Sequence, residues 1–218
     1  MTWDWEFAIE RFPDIAKGML VTIQATLMGM ALALVVGLIL ALGRRAPQKW
    51  IAWPFRAVIE FIRSTPLLIQ LFFLYYALPE VGVVLDPMPA LVFGLGLHYG
   101  TYCSEAYRAG IDDVARGQWE ASTALNLGTV TTWASVILPQ AIPTSIPALG
   151  NYFVAMFKDA PLGSTISVAG VLFMARSIGS STFRYLETLT MAGFLFLLVS
   201  IPAALLVRRL EGRYGYAK

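Results

Sequence analysis

Charged residues are scarce in this chain, and that scarcity excludes most classes of soluble protein. They make up 14% of its 218 residues, whereas a soluble domain carries roughly a quarter. The mean hydropathy is +0.66, and several apolar stretches reach the ~20 residues needed to cross a bilayer. A net charge of +2 is too small to indicate a nucleic-acid partner. The composition therefore predicts an all-α polytopic membrane protein in contact with lipid.

Residues that build disulfide, metal and catalytic sites are equally scarce. Cys103 is the single cysteine, so no disulfide framework exists, and we expect a packed or lipid-facing thiol. His98 is the single histidine and has no second ligand at metal-binding spacing, which favours a packed or hydrogen-bonded histidine over a metal site. Paired carboxylates and nucleophile–base arrangements are missing too, which argues against a membrane-embedded enzyme.

Apolar runs at 18–42, 55–78, 88–109 and 188–207 each predict a membrane helix. The last run contains Pro202, which membrane helices tolerate. The region 142–175 stays open, because it is apolar but carries Lys158 and Asp159. It forms either one span followed by an irregular or re-entrant piece, or two short spans.

The basic residues favour five spans, with the N-terminus outside the cell and the C-terminus in the cytoplasm, because such residues concentrate in short cytoplasmic segments. Five spans place ten of them inside and four outside, whereas six spans give eight and six at best. The inside set is Arg44, Arg45, Lys49, Arg56, Arg108, Arg116, Arg208, Arg209, Arg213 and Lys218. The N-terminal stretch is acidic and aromatic rather than basic, so Trp3, Trp5 and Phe7 are predicted to anchor it at the interface.

Small residues recur every four positions along the first span, at Ala25, Gly29, Ala33, Gly37 and Ala41. On a helix they form one stripe, which lets another helix approach closely in lipid. We expect a packing face here, and contact between two subunits is one candidate for its use.

A polar stretch, GQWEASTALNLG at 117–128, interrupts the apolar pattern on the predicted cytoplasmic side. Its first part can form about two helical turns, with Glu120 near the helix start, where a negative charge suits the dipole. Asn126 to Gly128 can turn the chain, since Asn and Gly tolerate left-handed backbone angles. A second short helix is expected to end at Pro139, because the residue before a proline is disfavoured in the helical region. The spacing of these residues alone does not distinguish a structured connecting loop from a segment that docks on another protein.

EASTALN, followed nine residues later by VILPQAIP, resembles the cytoplasmic EAA loop of bacterial ABC importer permeases. That pattern is Glu-Ala-Ala, three residues, Gly, nine residues, then Ile-x-Leu-Pro. The residues that match it are Glu120, Ala121, Leu138 and Pro139. The departures are Ser122, Asn126 and Val136, which stand in place of a small residue, the glycine and the isoleucine.

Further motifs extend the resemblance over about residues 15–212. RSTPLLIQLFFLYYALP, AYRAGI, LPQAIP, LGNYFVAMFKDAPL and TFRYLE are similar to the permeases for polar amino acids and opines. Within that family, GLGLHYGTY, TALNL and FRYLE look most like the ectoine/hydroxyectoine permease subunits. The resemblance implies one transmembrane permease domain over 1–218, with a core at about 18–212 and the fold of a type I ABC importer.

The resemblance also implies a mechanism and a set of partners. An ABC ATPase dimer binds ATP and magnesium and receives the coupling loop at about 112–141. The resemblance assigns nine residues to this loop: Gly117, Trp119, Glu120, Ala121, Ser122, Asn126, Gly128, Leu138 and Pro139. A second permease subunit, identical or homologous, completes the pathway, and an extracytoplasmic solute-binding protein delivers the solute to the bacterial inner membrane. The chain itself has no Gly-x-x-x-x-Gly-Lys-Ser/Thr loop, so ATP is expected on another chain and no cofactor on this one.

Candidate residues for the solute path lie deep in the predicted membrane region. Charges there are costly and need a partner or a wet cavity. Lys158 and Asp159 are the deepest pair, and Pro161 favours a helix break beside them; in the family, Asp159 matches an acidic position near the amino-acid path. Tyr99 and Tyr102 offer aromatic faces to a cationic solute. A solvated or structurally paired helix end, with tyrosines in the core, is the alternative.

Two pairs of opposite charge lie three residues apart, Glu60 with Arg63 and Glu105 with Arg108, and are expected to form structural ion pairs.

For the chain as a whole we expect an importer permease for a small zwitterion, ectoine or hydroxyectoine in the first place. A permease for glutamine, glutamate, arginine or histidine is the alternative. An ion-coupled secondary transporter is disfavoured, because the chain is short and shows no internal repeat.

Overall fold

A computed structural model describes residues 3–214, and every regular element among them is helical. Lys218, counted above as cytoplasmic, lies outside these residues. The long helices are α1 (Trp5–Gly43), α4 (Pro87–Asp112), α7 (Leu138–Asp159) and α9 (Tyr185–Tyr214). The shorter ones are α2 (Lys49–Arg63), α3 (Leu67–Phe72), α5 (Arg116–Ala124), α6 (Thr129–Thr131) and α8 (Val171–Thr182). The all-helical class and the type I importer fold predicted above are both confirmed.

Helices α1 and α4 form the central pair of the bundle, and the small-residue stripe makes their close approach possible. All five residues of the stripe are buried. A Cβ atom added at Gly37 would lie 2.6 Å from the Cβ atom of Cys103 and 2.9 Å from the carbonyl oxygen of Gly100. The stripe is therefore a packing face, as predicted, but α4 of the same chain covers it. Its suggested use between two subunits is wrong, because no room remains for a second helix there.

Two helices among the described residues are long and apolar enough to cross a membrane alone, Trp5–Gly43 and Tyr185–Arg209. Two bent pairs of helices bring the number to four if each counts as one span. The predicted third span corresponds to α4, which lies beside α1 in the centre of the bundle. The orientation of the helices across the bilayer stays a prediction.

The predicted span at 55–78 is not one continuous helix, because the chain breaks between Arg63 and Leu67. Helices Lys49–Arg63 and Leu67–Val81 meet at 104°. Pro66 causes the break, since a proline has no N–H to donate and disfavours the helical region for the residue before it. The side-chain amide of Gln70 braces the corner by donating to the carbonyl oxygens of Ile62 at 2.7 Å and Thr65 at 3.1 Å.

The open region after residue 142 forms one long helix and then a separate short one. Helix α7 ends at Asp159, a 3-10 segment runs over Ala160–Ile166, and α8 begins at Val171. The helical stretch Thr129–Ile166 and α8 are bent by 46°. The first of the two alternatives, one span followed by an irregular piece, describes this region best.

The first turn of α1 is tied to the start of α9. Asp4 caps α1 by accepting a hydrogen bond from the backbone N–H of Phe7 at 3.1 Å. Arg184 pairs with Asp4 at 2.9 Å and with the buried Glu187 at 3.4 Å. Trp5 beside this network is mostly exposed, as expected for an aromatic anchor at a membrane interface.

Candidate functional site

The polar stretch at 117–128 folds as a helix, a tight turn and a second helical start. Helix α5 covers Arg116–Ala124, and Asn126 has a φ angle of 52°, in the left-handed region. Asn tolerates this region better than most residues do, so it can stand where the EAA pattern has a glycine. The predicted turn is present at the predicted place.

The inner face of this segment packs against the ends of α4 and α7. The rings of Trp119 and Trp133 meet edge to face, with centroids 5.4 Å apart. Both rings pack on a small apolar cluster that contains Ile111 and Ile137. The hydroxyl of the buried Ser122 donates to the carbonyl oxygen of Gln118 at 2.8 Å. A small residue suits position 122, because Ser122 is almost fully buried, with 3% of its surface exposed.

The outer face of the segment is exposed and partly apolar. Leu125 is 73% exposed and Val130 is 81% exposed, and the two residues flank the turn at Asn126. Gly117, Ala121 and Gly128, which the resemblance assigns to the coupling loop, are exposed as well. Exposed apolar side chains beside small residues offer a surface that another protein can approach closely.

Glu120 lies on the same exposed side, but not at the helix start. It is the fifth of the nine residues of α5, and its carboxylate pairs with the Arg116 guanidinium four residues earlier at 2.8 Å. The helix dipole acts mainly on the first turn. An i,i+4 ion pair therefore replaces the predicted dipole interaction.

Pro139 does not end the second helix, contrary to the prediction. The chain continues from α6 through a π-helical turn at Thr132–Ile137 directly into α7, where Pro139 lies in the first turn. A proline is tolerated there because the wider turn before it leaves no carbonyl oxygen waiting for its missing N–H. The helix that begins at Thr129 therefore continues without a break into α7, which begins at Leu138.

An ionic cluster joins the base of this segment to α1 and α2. The carboxylate of Glu105 pairs with Arg44, with Arg108 at 3.0 Å and with Arg63 at 3.6 Å. The predicted Glu105–Arg108 pair is confirmed. The predicted Glu60–Arg63 pair is wrong, because the Arg63 side chain turns towards α4.

Asp112, at the end of α4, extends the same cluster towards the coupling segment. It pairs with Arg45 and, at 3.0 Å, with Arg108. Partial burial raises the pKa of Asp112, but the hydrogen bonds and charges of Arg45 and Arg108 outweigh it and hold the pKa below its ordinary value. Asp112 is therefore ionised at neutral pH.

A second group of residues lies at the junction of α4 and α7. The hydroxyl of Tyr99 donates to Oδ2 of Asp159 at 2.6 Å. The rings of His98 and Tyr102 lie 5.4 Å and 6.0 Å from the Tyr99 ring, and the guanidinium of Arg63 lies 5.3 Å above the Tyr102 ring. Three of the predicted solute-path residues, Tyr99, Tyr102 and Asp159, are therefore close together.

Lys158 and Pro161, the other two predicted residues, do not join this group. Lys158 is exposed and lies with Pro161 beside Phe196 and Ser200 of α9. Successive residues on a helix point about 100° apart, so Lys158 and Asp159 face different surroundings. Lys158 is not the partner of Asp159.

Two further residues contact this group, Tyr152 and Gln70, and neither is predicted from the sequence to lie there. The Tyr152 ring lies 5.6 Å from the Tyr102 ring, and Nδ1 of His98 lies 3.2 Å from Oε1 of Gln70. His98 is thus hydrogen-bonded, as predicted. Gln70 is polar within an apolar run, and that was the one signal that could have selected it.

The chain matches the family described as binding-protein-dependent transport system inner membrane component over residues 33–216. It is 45% identical to a probable amino-acid ABC transporter permease of Sinorhizobium fredii, over 95% of this chain and 92% of the relative. It is 35% identical to the L-cystine transport system permease of Bacillus subtilis, over 95% of this chain and 91% of the relative. Identity to the glutamine transport system permease of Escherichia coli is 32% over 98% of each.

Solved structures show the same likeness. The crystal structure of an amino acid ABC transporter with histidines contains a chain with a TM-score of 0.90 and 32% identity, and the match covers 98% of this chain and 100% of that one. A chain of the inward-facing MetNI methionine ABC transporter has a TM-score of 0.66 and 17% identity, with 95% of this chain and 99% of that chain covered. The second likeness concerns the fold alone.

Proposed function

We propose that this chain, which belongs to the family of binding-protein-dependent inner membrane transport components, conducts a small polar zwitterion across the membrane. It is the permease subunit of an amino-acid ABC importer, a transport component rather than an enzyme, and it resides in the inner membrane.

The exposed coupling segment supports energy input from a separate ATPase. Its inner face is fixed by the Trp119–Trp133 contact and by the continuity of α6 with α7. Its outer face offers Leu125 and Val130 to a partner. A displacement applied to the outer face therefore passes to α7, the helix that ends at Asp159. This continuous series of contacts between the outer face and α7 is the observation that carries the proposal.

Uptake by proteoliposomes tests the energy source. With the ATPase and the solute-binding protein present, we expect uptake to require internal ATP and to be abolished by vanadate. Removal of the ATPase should abolish uptake under any ion gradient. Uptake driven by a sodium or proton gradient without the ATPase would instead support the alternative, an ion-coupled secondary transporter.

Asp159 and the tyrosines around it support a site for a solute that carries a positive group. One carboxylate oxygen of Asp159 accepts the Tyr99 hydrogen bond, and the Tyr102 ring lies 6.0 Å from the Tyr99 ring. A carboxylate and aromatic faces both attract an ammonium or an amidinium group. The same arrangement leaves the carboxylate of a zwitterion to other donors, and the guanidinium of Arg63, 5.3 Å from the centre of the Tyr102 ring, is one candidate.

Asp159→Asn is expected to raise the KM for uptake by roughly 10- to 150-fold, because a hydrogen bond to a charged group contributes about 1.5–3 kcal/mol. The kcat of ATP-driven uptake should change less, since the coupling segment is untouched. Lys158→Gln is the matched control, because Lys158 is adjacent in sequence but exposed on another face. Unchanged KM in Asp159→Asn, or an equal rise in both variants, would remove Asp159 from the solute path.

Ectoine or hydroxyectoine is the solute favoured by GLGLHYGTY, TALNL and FRYLE, since a cationic ring beside a carboxylate suits the Asp159 site. Glutamine, glutamate, arginine and histidine are the alternatives, and the relatives named above include glutamine and cystine permeases. We propose that an extracytoplasmic binding protein selects among these solutes. Titration of the binding protein with each candidate solute distinguishes these solutes. A second permease subunit, identical or homologous, is needed to enclose the path.

A further inference from the structure

Helix α2 has the surface pattern of a helix that lies along a membrane interface. Ala52 and Ile59 are buried against the bundle. On another face, Trp50 and Trp53 are 76% and 70% exposed, and Phe61 is 71% exposed. A third face carries Arg56 and other charged residues. Such a helix, set at 104° to the helical stretch Leu67–Val81 that follows it, buries its apolar face at the boundary between headgroups and acyl chains.

A cleft of about 570 Å³ lies between the charged face of α2, the end of α1 and the end of α4. Its charged lining residues are Arg44, Arg45, Arg56, Arg108, Glu60 and Glu105. Four arginines against two glutamates leave a surplus of two positive charges. The cleft is therefore suited to an anion.

The guanidinium of Arg56 is the group most available to such an anion. Arg44, Arg45 and Arg108 each pair with Glu105, Asp112 or both. Within the described residues, Arg56 makes one long hydrogen bond, donating to the carbonyl oxygen of Arg44 at 3.4 Å, and no ion pair. A guanidinium presents a planar fork of donors that matches the oxygens of a phosphate group.

The surroundings of the cleft favour a lipid phosphate over a phosphate ion in solution. Trp53 precedes Arg56 by three residues and is its neighbour on the helix surface. Beyond the exposed apolar face of α2, an apolar groove of about 390 Å³ fills the corner between α2 and α3, lined by Val58, Phe61 and Ile69 among others. A cationic cleft and an apolar groove on one interfacial helix fit a molecule with a phosphate and acyl chains.

We infer that the cleft around Arg56 binds the headgroup phosphate of an anionic phospholipid, whose acyl chains lie against Trp50, Trp53 and Phe61. The inference rests on the proposed cytoplasmic position of Arg44 and Arg45, the side on which basic clusters at span ends meet anionic lipid. It goes beyond the transport function, because it assigns this chain a lipid site apart from the solute path and the coupling segment.

Native mass spectrometry of the purified full-length chain in detergent tests the site. The probes are phosphatidylglycerol and phosphatidylcholine with identical acyl chains. We expect phosphatidylglycerol to bind more tightly, and Arg56→Gln to weaken it about fivefold, the contribution of one basic side chain near an anionic lipid surface. Arg56 is exposed and makes no ion pair, so this variant should fold normally.

Two further variants separate the site from general attraction of charge. Glu60→Gln removes an acid from the cleft lining and should tighten phosphatidylglycerol by a similar factor, a change of opposite sign. Arg176→Gln removes an exposed arginine on α8, outside the cleft, and should leave the affinity unchanged. Equal losses in Arg56→Gln and Arg176→Gln would overturn the site.

Three other results would also overturn it. Equal binding of the two lipids would show that the net negative charge of the headgroup is not recognised, because both lipids carry a phosphate. Displacement of phosphatidylglycerol by millimolar inorganic phosphate would reassign the cleft to a soluble anion. Displacement by the purified ATPase would reassign it to a protein contact. Retention of phosphatidylglycerol in the assembled transporter is the supporting result.

Discussion

Asn126→Val is expected to reduce ATP-driven uptake by roughly 5- to 30-fold while the chain still inserts and assembles. Asn126 has a φ angle of 52°, and the left-handed region costs a residue with a Cβ atom about 1–2 kcal/mol. A β-branched side chain is restricted further. That cost lowers the equilibrium constant for the correct turn, relative to other conformations, by a factor of 5–30. Leu125 and Val130, on either side of the turn, then no longer present one common surface to the ATPase.

The control is Asn126→Gly, because glycine adopts left-handed angles freely and the EAA pattern has glycine at this position. It should retain uptake. Both variants are measured in proteoliposomes for uptake and for solute-stimulated ATP hydrolysis. Loss of uptake in Asn126→Val with basal hydrolysis kept indicates uncoupling. Equal uptake in the valine and glycine variants would exclude a role for the turn geometry.

Glu120→Lys should also uncouple ATP hydrolysis from uptake, because it changes the charge of the docking face and not its backbone geometry. Reversal of the charge breaks the pair with Arg116 and places two cations four residues apart on the exposed side of α5. Glu80→Lys is the matched control, since Glu80 is exposed in the 3-10 segment Leu78–Val81, outside the coupling segment. Normal coupling in Glu120→Lys would contradict docking of this face on the ATPase.

The features that the sequence predicted correctly depend on short-range periodicity or on single special residues. The small-residue stripe of α1 follows from a four-residue period, and the turn at Asn126 follows from residues that tolerate positive φ. The break at Pro66 carried an equally plain signal, which the length of the apolar run at 55–78 obscured. Because the 24 residues from 55 to 78 are mostly apolar and long enough to cross a bilayer, the length of the run predicts one span although a proline lies inside it.

Contacts between distant residues could not be predicted in this way. Asp159 meets Tyr99 across 60 positions, and the Arg63 side chain reaches Glu105 instead of Glu60. Spacing along one helix identifies possible neighbours, but the relative rotation of α2, α4 and α7 decides which of them meet. The π-helical turn before Pro139 is a similar case, since it is the packing of Trp133 and Ile137 that keeps the chain helical there.

Gly37→Ala should destabilise the whole bundle, because the added methyl group has no space between α1 and α4. Its position lies 2.6 Å from the Cβ atom of Cys103 and 2.9 Å from the carbonyl oxygen of Gly100. The second of these is a backbone atom, so side-chain rotation cannot relieve the clash and the two helices must separate. Overpacking of this kind costs about 1–3 kcal/mol in a well-packed core.

Gly193→Ala is the matched control for this substitution. Gly193 lies in α9, and a Cβ atom there would meet no other atom within 4 Å. Replacement of a mid-helix glycine by alanine should then stabilise the chain by about 0.5–1 kcal/mol, because alanine loses less backbone entropy on folding. The unfolding midpoints of both variants, measured in detergent, should therefore shift in opposite directions. Shifts of the same sign and size would mean that α4 does not pack on the stripe of α1, and the coupling segment would lose the fixed base on which its action on α7 depends.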